Sequence, residues 1–173
     1  SEQYFALLDS RDTLLTKKVY APVSSQLNKL SADEVIIEYY EADDCYYALV
    51  LSSAGIQFDK IENAKEIKKL IHQYEQHFTK APQPKVYADS LQSFSKQSYQ
   101  LYQRLLKPFE TSLEKTGKLT IIPDGALYRL PFETLLRSIH KPSSFKELDY
   151  LMKSMVIKRA LSINQLLNQD MTA

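Results

Sequence analysis

The sequence predicts an α/β fold: a mixed sheet that opens with an antiparallel hairpin or meander and carries helices on its faces. Three observations predict it. Two runs rich in β-branched and aromatic residues, Val35 to Tyr40 and Tyr46 to Leu51, flank the polar tetrad Glu41-Ala42-Asp43-Asp44 and read as a hairpin. Ile67, Leu70, Ile71, Tyr74 and Phe78 recur at helical spacing. A short apolar run, Leu119, Ile121 and Ile122, stops abruptly at Pro123-Asp124-Gly125, the pattern of a buried strand closed by a turn.

Taken in order, residues 1–31 form a helical lead-in, in which Pro22 opens a pattern of Val23, Gln26, Leu27 and Leu30 spaced three or four apart. After the hairpin, Ser52-Ser53-Ala54-Gly55 supplies a turn, and Ile56, Phe58 and Ile61 alternate as a third strand. Three antiparallel strands with one wet face explain the polar interleaving. Asn63 followed by Glu66 reads as a capping box and opens a helix over 64–79. Pro82 and Pro84 break it, leaving a surface loop to Asp89.

A second long helix starts near Ser90, with Leu91, Phe94, Leu101, Leu105 and Leu106 on one side. Pro108 either kinks it or starts a fresh helix that carries Phe109 and Leu113 to Gly117, a C-terminal cap. In the turn after Ile122, Gly125 supplies a positive φ. Pro131 then stands where a helix would begin, with Phe132, Leu135 and Leu136 as its apolar face. Beyond a loop at 137–144, Phe145, Leu148 and Leu151 suggest a short helix. Met155 to Arg159 reads as a strand, and Ile163, Leu166 and Leu167 begin a last helix.

Composition narrows the function classes. The 173 residues carry a net charge of +1, so no overall field recruits nucleic acid or an anionic membrane. Residues 32–62 hold eight acids against Lys60 alone, whereas 115–173 carries nine Lys or Arg against five acids; these read as two solvated faces. One cysteine permits neither an intramolecular disulfide nor a thiolate zinc cluster, and fits a reducing, cytoplasmic setting. No apolar run approaches the roughly 20 residues that span a bilayer. The chain opens on Ser1 without a signal-peptide pattern, as an excised piece of a longer protein would.

The stretch IIPDGALYRLPFETLL, from Ile121 to Leu136, resembles the signature of the CHAT family, caspase-like domains found behind tetratricopeptide repeats. The resemblance extends upstream through Ile37-Glu38-Tyr39-Tyr40, Asp43-Asp44 and Tyr47, and through Leu101-Tyr102 and Leu105-Leu106-Lys107-Pro108. It covers roughly residues 30 to 137, with a weaker continuation to Leu161-Ser162. It implies half of a caspase-like domain: residues 32–173 as the N-terminal, non-catalytic half, and 1–31 as the end of an upstream repeat region. The family's catalytic His and Cys fall in a second half that this sequence lacks, so no catalytic residue is carried over. The implied partners are that missing C-terminal half and the upstream repeats with their protein ligands.

The residues themselves offer no dyad. Cys45 is the one candidate sulfur, and Asp43 and Asp44 directly before it disfavour a thiolate. His72 and His77 are five apart on the expected helix and do not share the face that an i, i+4 metal pair uses; His140 falls in a loop. Asp43-Asp44 lacks further ligands at useful spacing, so the expected set of catalytic, cofactor-binding and metal residues is empty. There is no GxGxxG and no GxxxxGK for a nucleotide. Tyr39, Tyr40, Tyr46 and Tyr47 cluster on adjacent strands, through strand packing or, second, as an interface.

Asp124 is expected to cap its own turn, ahead of a role in orienting a catalytic loop from the other half. The expected function is a scaffold or regulatory half of a cysteine-peptidase-related domain. The alternative is a protein-interaction module in a protein without peptidase activity. Truncation also predicts weak self-association, through Met155 to Ile157 or through the face of Ile163, Leu166 and Leu167.

Overall fold

A computed structural model describes residues 30–79, 87–114, 116–140, 144–163 and 166. The expected lead-in helix, the loop at Pro82 and Pro84, and Leu167 lie outside the described residues. Five strands form one sheet in the order β3-β2-β1-β4-β5: β1 Glu34–Glu41, β2 Cys45–Ser52, β3 Gly55–Glu62, β4 Lys118–Ile122 and β5 Val156–Arg159. β1, β2 and β3 are an antiparallel meander, while β1, β4 and β5 run parallel. The mixed α/β sheet expected from the sequence is therefore present.

Register sorts the side chains. Ile37 opposes Val50 and Ile121, so Val35, Ile37, Tyr39, Tyr46, Ala48, Val50, Leu119 and Ile121 share one face. The helices α1 (Ala64–Thr79) and α2 (Tyr87–Leu105) bury Ile67, Ile71, Leu101 and Leu105 against that face in one large core. Burying an aliphatic side chain of this kind contributes about 1.5–3 kcal/mol. Tyr39 is tolerated there because its hydroxyl donates to the Leu105 carbonyl at 2.7 Å. The second face carries a smaller cluster of Ile36, Leu49, Leu51 and Ile122, joined by Ile163, with Leu30 and Leu166 packed against it. Ile163 and Leu166 are both helical, so the chain beyond β5 reaches this other face.

Local starts and stops partly follow the sequence. Helix α1 begins at Ala64, as the spacing predicts. Its first amides, however, find Asp44: Ala64 N–H donates to the Asp44 carbonyl at 3.0 Å, and Lys65 N–H to Asp44 Oδ1 at 3.4 Å. Glu66, expected to reach back in a capping box, instead pairs with Arg104 of α2 at 2.7 Å. Pro108 starts a 3-10 turn, Lys107–Phe109, followed by the single-turn helix α3, Glu110–Leu113. The short α3 ends before Gly117, which therefore does not cap it.

Two expected helices are absent. After Pro131 the chain makes only a 3-10 turn, Phe132–Thr134. Leu130, Phe132, Leu135 and Leu136 are all fully buried, and residues two apart cannot share the stripe of an α-helix. Phe145 to Leu151 likewise resolves into 3-10 turns, Phe145–Glu147 and Leu151–Lys153. There Tyr150 is held extended by a bridge to Leu136.

Candidate functional site

The parallel strands β1, β4 and β5 end at the same rim of the sheet, the rim where open α/β sheets place their ligands. Across it lies the segment from Asp124 to Thr134. Asp124 is extended, with φ −132° and ψ 152°, and its Oδ2 accepts the Glu41 N–H at 2.9 Å. It therefore ties the end of β1 to the turn after β4, where the sequence reading had it capping its own turn.

Glu41 completes the junction. Its Oε2 accepts from the Tyr46 hydroxyl at 2.8 Å and from Ala126 N–H at 3.1 Å, and Lys68 Nζ of α1 stands 2.5 Å from Oε1. Burial pushes this carboxyl up, but the bonds from Lys68, Tyr46 and Ala126 outweigh it and hold it below its usual range. Tyr46 responds in the opposite sense: burial, then its bond to Glu41, raise the phenol. Gly125 sits at φ +57°, and a Cβ there would fall 1.8 Å from Glu41 Oε2. Only glycine permits both the turn and the close approach. Sequence reasoning missed Glu41; its position as the last residue of a strand, facing a PDG turn, was the available signal.

The far end of the segment is pinned from β5 and from the helices. Arg159 donates to the carbonyls of Tyr128 at 3.0 Å and Leu130 at 2.6 Å, and lies 3.5 Å from Glu133. Arg129 meets Glu75 of α1 at 3.4 Å. The buried Tyr74 hydroxyl bonds the Thr134 carbonyl at 3.0 Å, and burial pushes that phenol up to about 12. Leu127, Leu130 and Phe132 anchor the segment in the core while Tyr128 is exposed. The result is a platform of backbone pinned from β1, β5 and α1.

The other sequence candidates are scattered. Cys45 opens β2 and is buried, opposite Glu62. His72 is exposed beside Glu75. His77 Nε2 bonds Gln97 at 2.9 Å and packs on the Tyr74 and Phe94 rings. His140 Nε2 lies 3.1 Å from Ser138 Oγ, which donates to Asp149 Oδ2 at 2.8 Å. That order puts the hydroxyl between imidazole and carboxylate, whereas a catalytic triad needs the imidazole in the middle.

Asp43 is exposed at the hairpin tip. Among the described residues no three His, Cys, Asp or Glu are grouped to hold a metal. Of the four tyrosines, Tyr39 and Tyr46 face the helices, and Tyr47 stacks on Phe58 with centroids 5.5 Å apart. No helix among the described residues is long and apolar enough to cross a membrane.

Comparison with known proteins agrees with the resemblance in kind. Residues 95–171 match the CHAT domain, a range that begins within α2, takes in β4, the platform and β5, and leaves the β1–β3 meander outside. No curated protein matches the chain. The platform, with β4 and β5, is thus the matched part, and the match over residues 95–171 supports a CHAT-family domain there, of the caspase-like, peptidase-related kind.

Proposed function

We propose that this chain is the non-catalytic scaffold half of a CHAT-like, cysteine-peptidase-related domain, and that it supports a C-terminal half carrying the catalytic His and Cys. The observation that carries the reading is the β5 edge. Val156 N–H goes to the Gly117 carbonyl at 2.8 Å and Ala160 N–H to the Ile121 carbonyl at 3.1 Å. Alternation then turns the Ile157 and Arg159 amides away from β4, toward a side that no strand covers among the described residues. Val156 is 58% exposed and Leu161 71%. An edge of this kind fits an incoming strand, and the platform at the strand ends offers that strand a fixed neighbour.

The upstream repeats and their ligands are the proposed regulatory partners. A second reading, an interaction module in a protein without peptidase activity, draws on the same exposed Val156 and Leu161. A His and a Cys in the downstream sequence, each after an apolar strand, separate the two.

Self-association of the isolated chain belongs to the same proposal, on a narrower surface than the sequence indicated. Met155 and Ile163 are buried, and Leu166 packs on the sheet's second face, so among the described residues the interface proposed is Val156, Ile157 and Leu161. The test is a fluorogenic panel with basic, acidic and apolar P1 residues. The chain alone should hydrolyse none of them. Joined by the downstream half it should gain activity that is lost on substituting the downstream Cys and unchanged by Cys45→Ala. Activity of the chain alone that disappears in Cys45→Ala would overturn the proposal.

A further inference from the structure

The middle of the platform is held by a strand that, among the described residues, pairs on one side only. Arg159 is the last residue of β5 and stands opposite Ile121 of β4. Its guanidinium reaches back over the strand end and donates to the Tyr128 carbonyl at 3.0 Å and to the Leu130 carbonyl at 2.6 Å. Hydrogen bonds from a charged donor are the stronger kind. The neighbouring pins differ in kind. Ala126 N–H is held from β1, by Glu41. Arg129 meets Glu75 through a side chain that is 58% exposed, and such a pair contributes little.

The backbone and the side chain of Arg159 therefore face two ways. Ala160 N–H bonds the Ile121 carbonyl, so alternation sends the Arg159 amide outward from β4, while the guanidinium turns in over the platform. A strand of four residues with one partner opens locally more readily than the inner strands β1 and β4.

We propose that Arg159 is a positioning residue that couples the β5 edge to the platform. The coupling rests on the scaffold reading. A strand of the downstream half, paired along Ile157 and Arg159, fixes the end of β5, and the guanidinium then fixes the backbone of residues 128–130 at the rim where the parallel strands end. The edge and the rim become two sites joined by one side chain. The element with two states is the end of β5, frayed or paired.

Hydrogen exchange on the chain alone and on the chain joined to its downstream half tests this, in wild type, Arg159→Ala and Arg159→Lys. Joining should slow the amides at positions 157 and 159 in all three. At residues 128–130 joining should slow exchange about tenfold or more in wild type and less than about twofold in Arg159→Ala. Arg159→Lys should fall between, because an ammonium lacks the fork that spans two carbonyls. The Ala126 amide, held from β1, should change little in any of them. An Arg159 that only stabilises the fold would raise exchange at 128–130 equally in the alone and joined forms of Arg159→Ala. The joined-to-alone ratio would then match wild type, and the proposal would be overturned. Protection at 157 and 159 with no change at 128–130 in wild type would overturn it as well. No protection at 157 and 159 in any form would instead overturn the scaffold reading, and the coupling with it.

Discussion

The two edges of the sheet are built differently. At β3 the edge is eight residues long and guarded by charge: Lys60 N–H is already taken by Asp59 Oδ1 at 2.8 Å, and Lys60 Nζ lies 2.7 Å from Glu62. At β5 the edge is four residues long and opens on exposed Val156. Of its two cations, Lys158 is exposed and Arg159 is turned back onto the platform carbonyls. An unpaired strand edge is an aggregation hazard that proteins blunt with inward or paired charges. The β3 edge is finished with a paired charge, whereas at β5 the exposed Lys158 alone is left to guard it, a difference that fits the proposed continuation of the sheet on its parallel side.

The largest expected effect treats both edges alike. Ile122 is 3% exposed at the end of β4, between the edges, and Ile122→Ala should cost about 2–5 kcal/mol. Cys45→Ala, at the start of β2, should cost well under that. Equal denaturant midpoints for the two variants would mean that the core has been misplaced.

Arg159→Ala should loosen the β5 side alone. It strips the donors from the Tyr128 and Leu130 carbonyls and should cost about 1.5–3 kcal/mol, the range for hydrogen bonds to a charged group. Exchange at β5 and the platform should rise while β3 keeps its protection. A uniform rise across the sheet would contradict the separation of the two edges.

Glu41→Gln acts between them and should cost about 1–2 kcal/mol at neutral pH. The pH dependence has a definite sign. The folded carboxyl titrates below its unfolded value, so its stabilisation is present above the unfolded range near ~4.3 and is lost as pH falls through the folded value. Urea midpoints of wild type and variant should therefore converge on the acid side. A gap that persists at low pH would show that Glu41 acts through shape and not through charge.

The smallest effect on stability, below about 0.5 kcal/mol, is expected for Val156→Glu on the exposed β5 position. That variant should nevertheless abolish the rise of mean mass with concentration in sedimentation, and Phe58→Glu on β3 should not. If Phe58→Glu abolishes the rise and Val156→Glu leaves it, the edges have been assigned the wrong way round.

What the sequence showed and hid follows from how far each signal reaches along the chain. Strands β1, β2, β3 and β4 and helix α1 were legible because runs of β-branched and aromatic residues and helical spacing are local signals. The turns after Pro131 and Phe145 misled because Phe132, Leu135 and Leu136, and then Phe145, Leu148 and Leu151, keep a helical spacing over stretches where the chain makes only 3-10 turns. The platform's fixings, Glu41 to Ala126, Asp124 to Glu41 and Arg159 to Leu130, join residues far apart in the chain. Such pairs leave no mark in local spacing. Asp44 at the start of α1 is the same case on a smaller scale.

The measurement that bears most directly on the β5 edge is backbone exchange of the chain titrated with a separately expressed downstream half of the domain. The account predicts that the Ile157 and Arg159 amides, turned away from β4, gain protection on binding, and that Lys60 and its neighbours on β3 do not change. Protection arising at β3, or binding that leaves Ile157 and Arg159 exchanging as before, would contradict it.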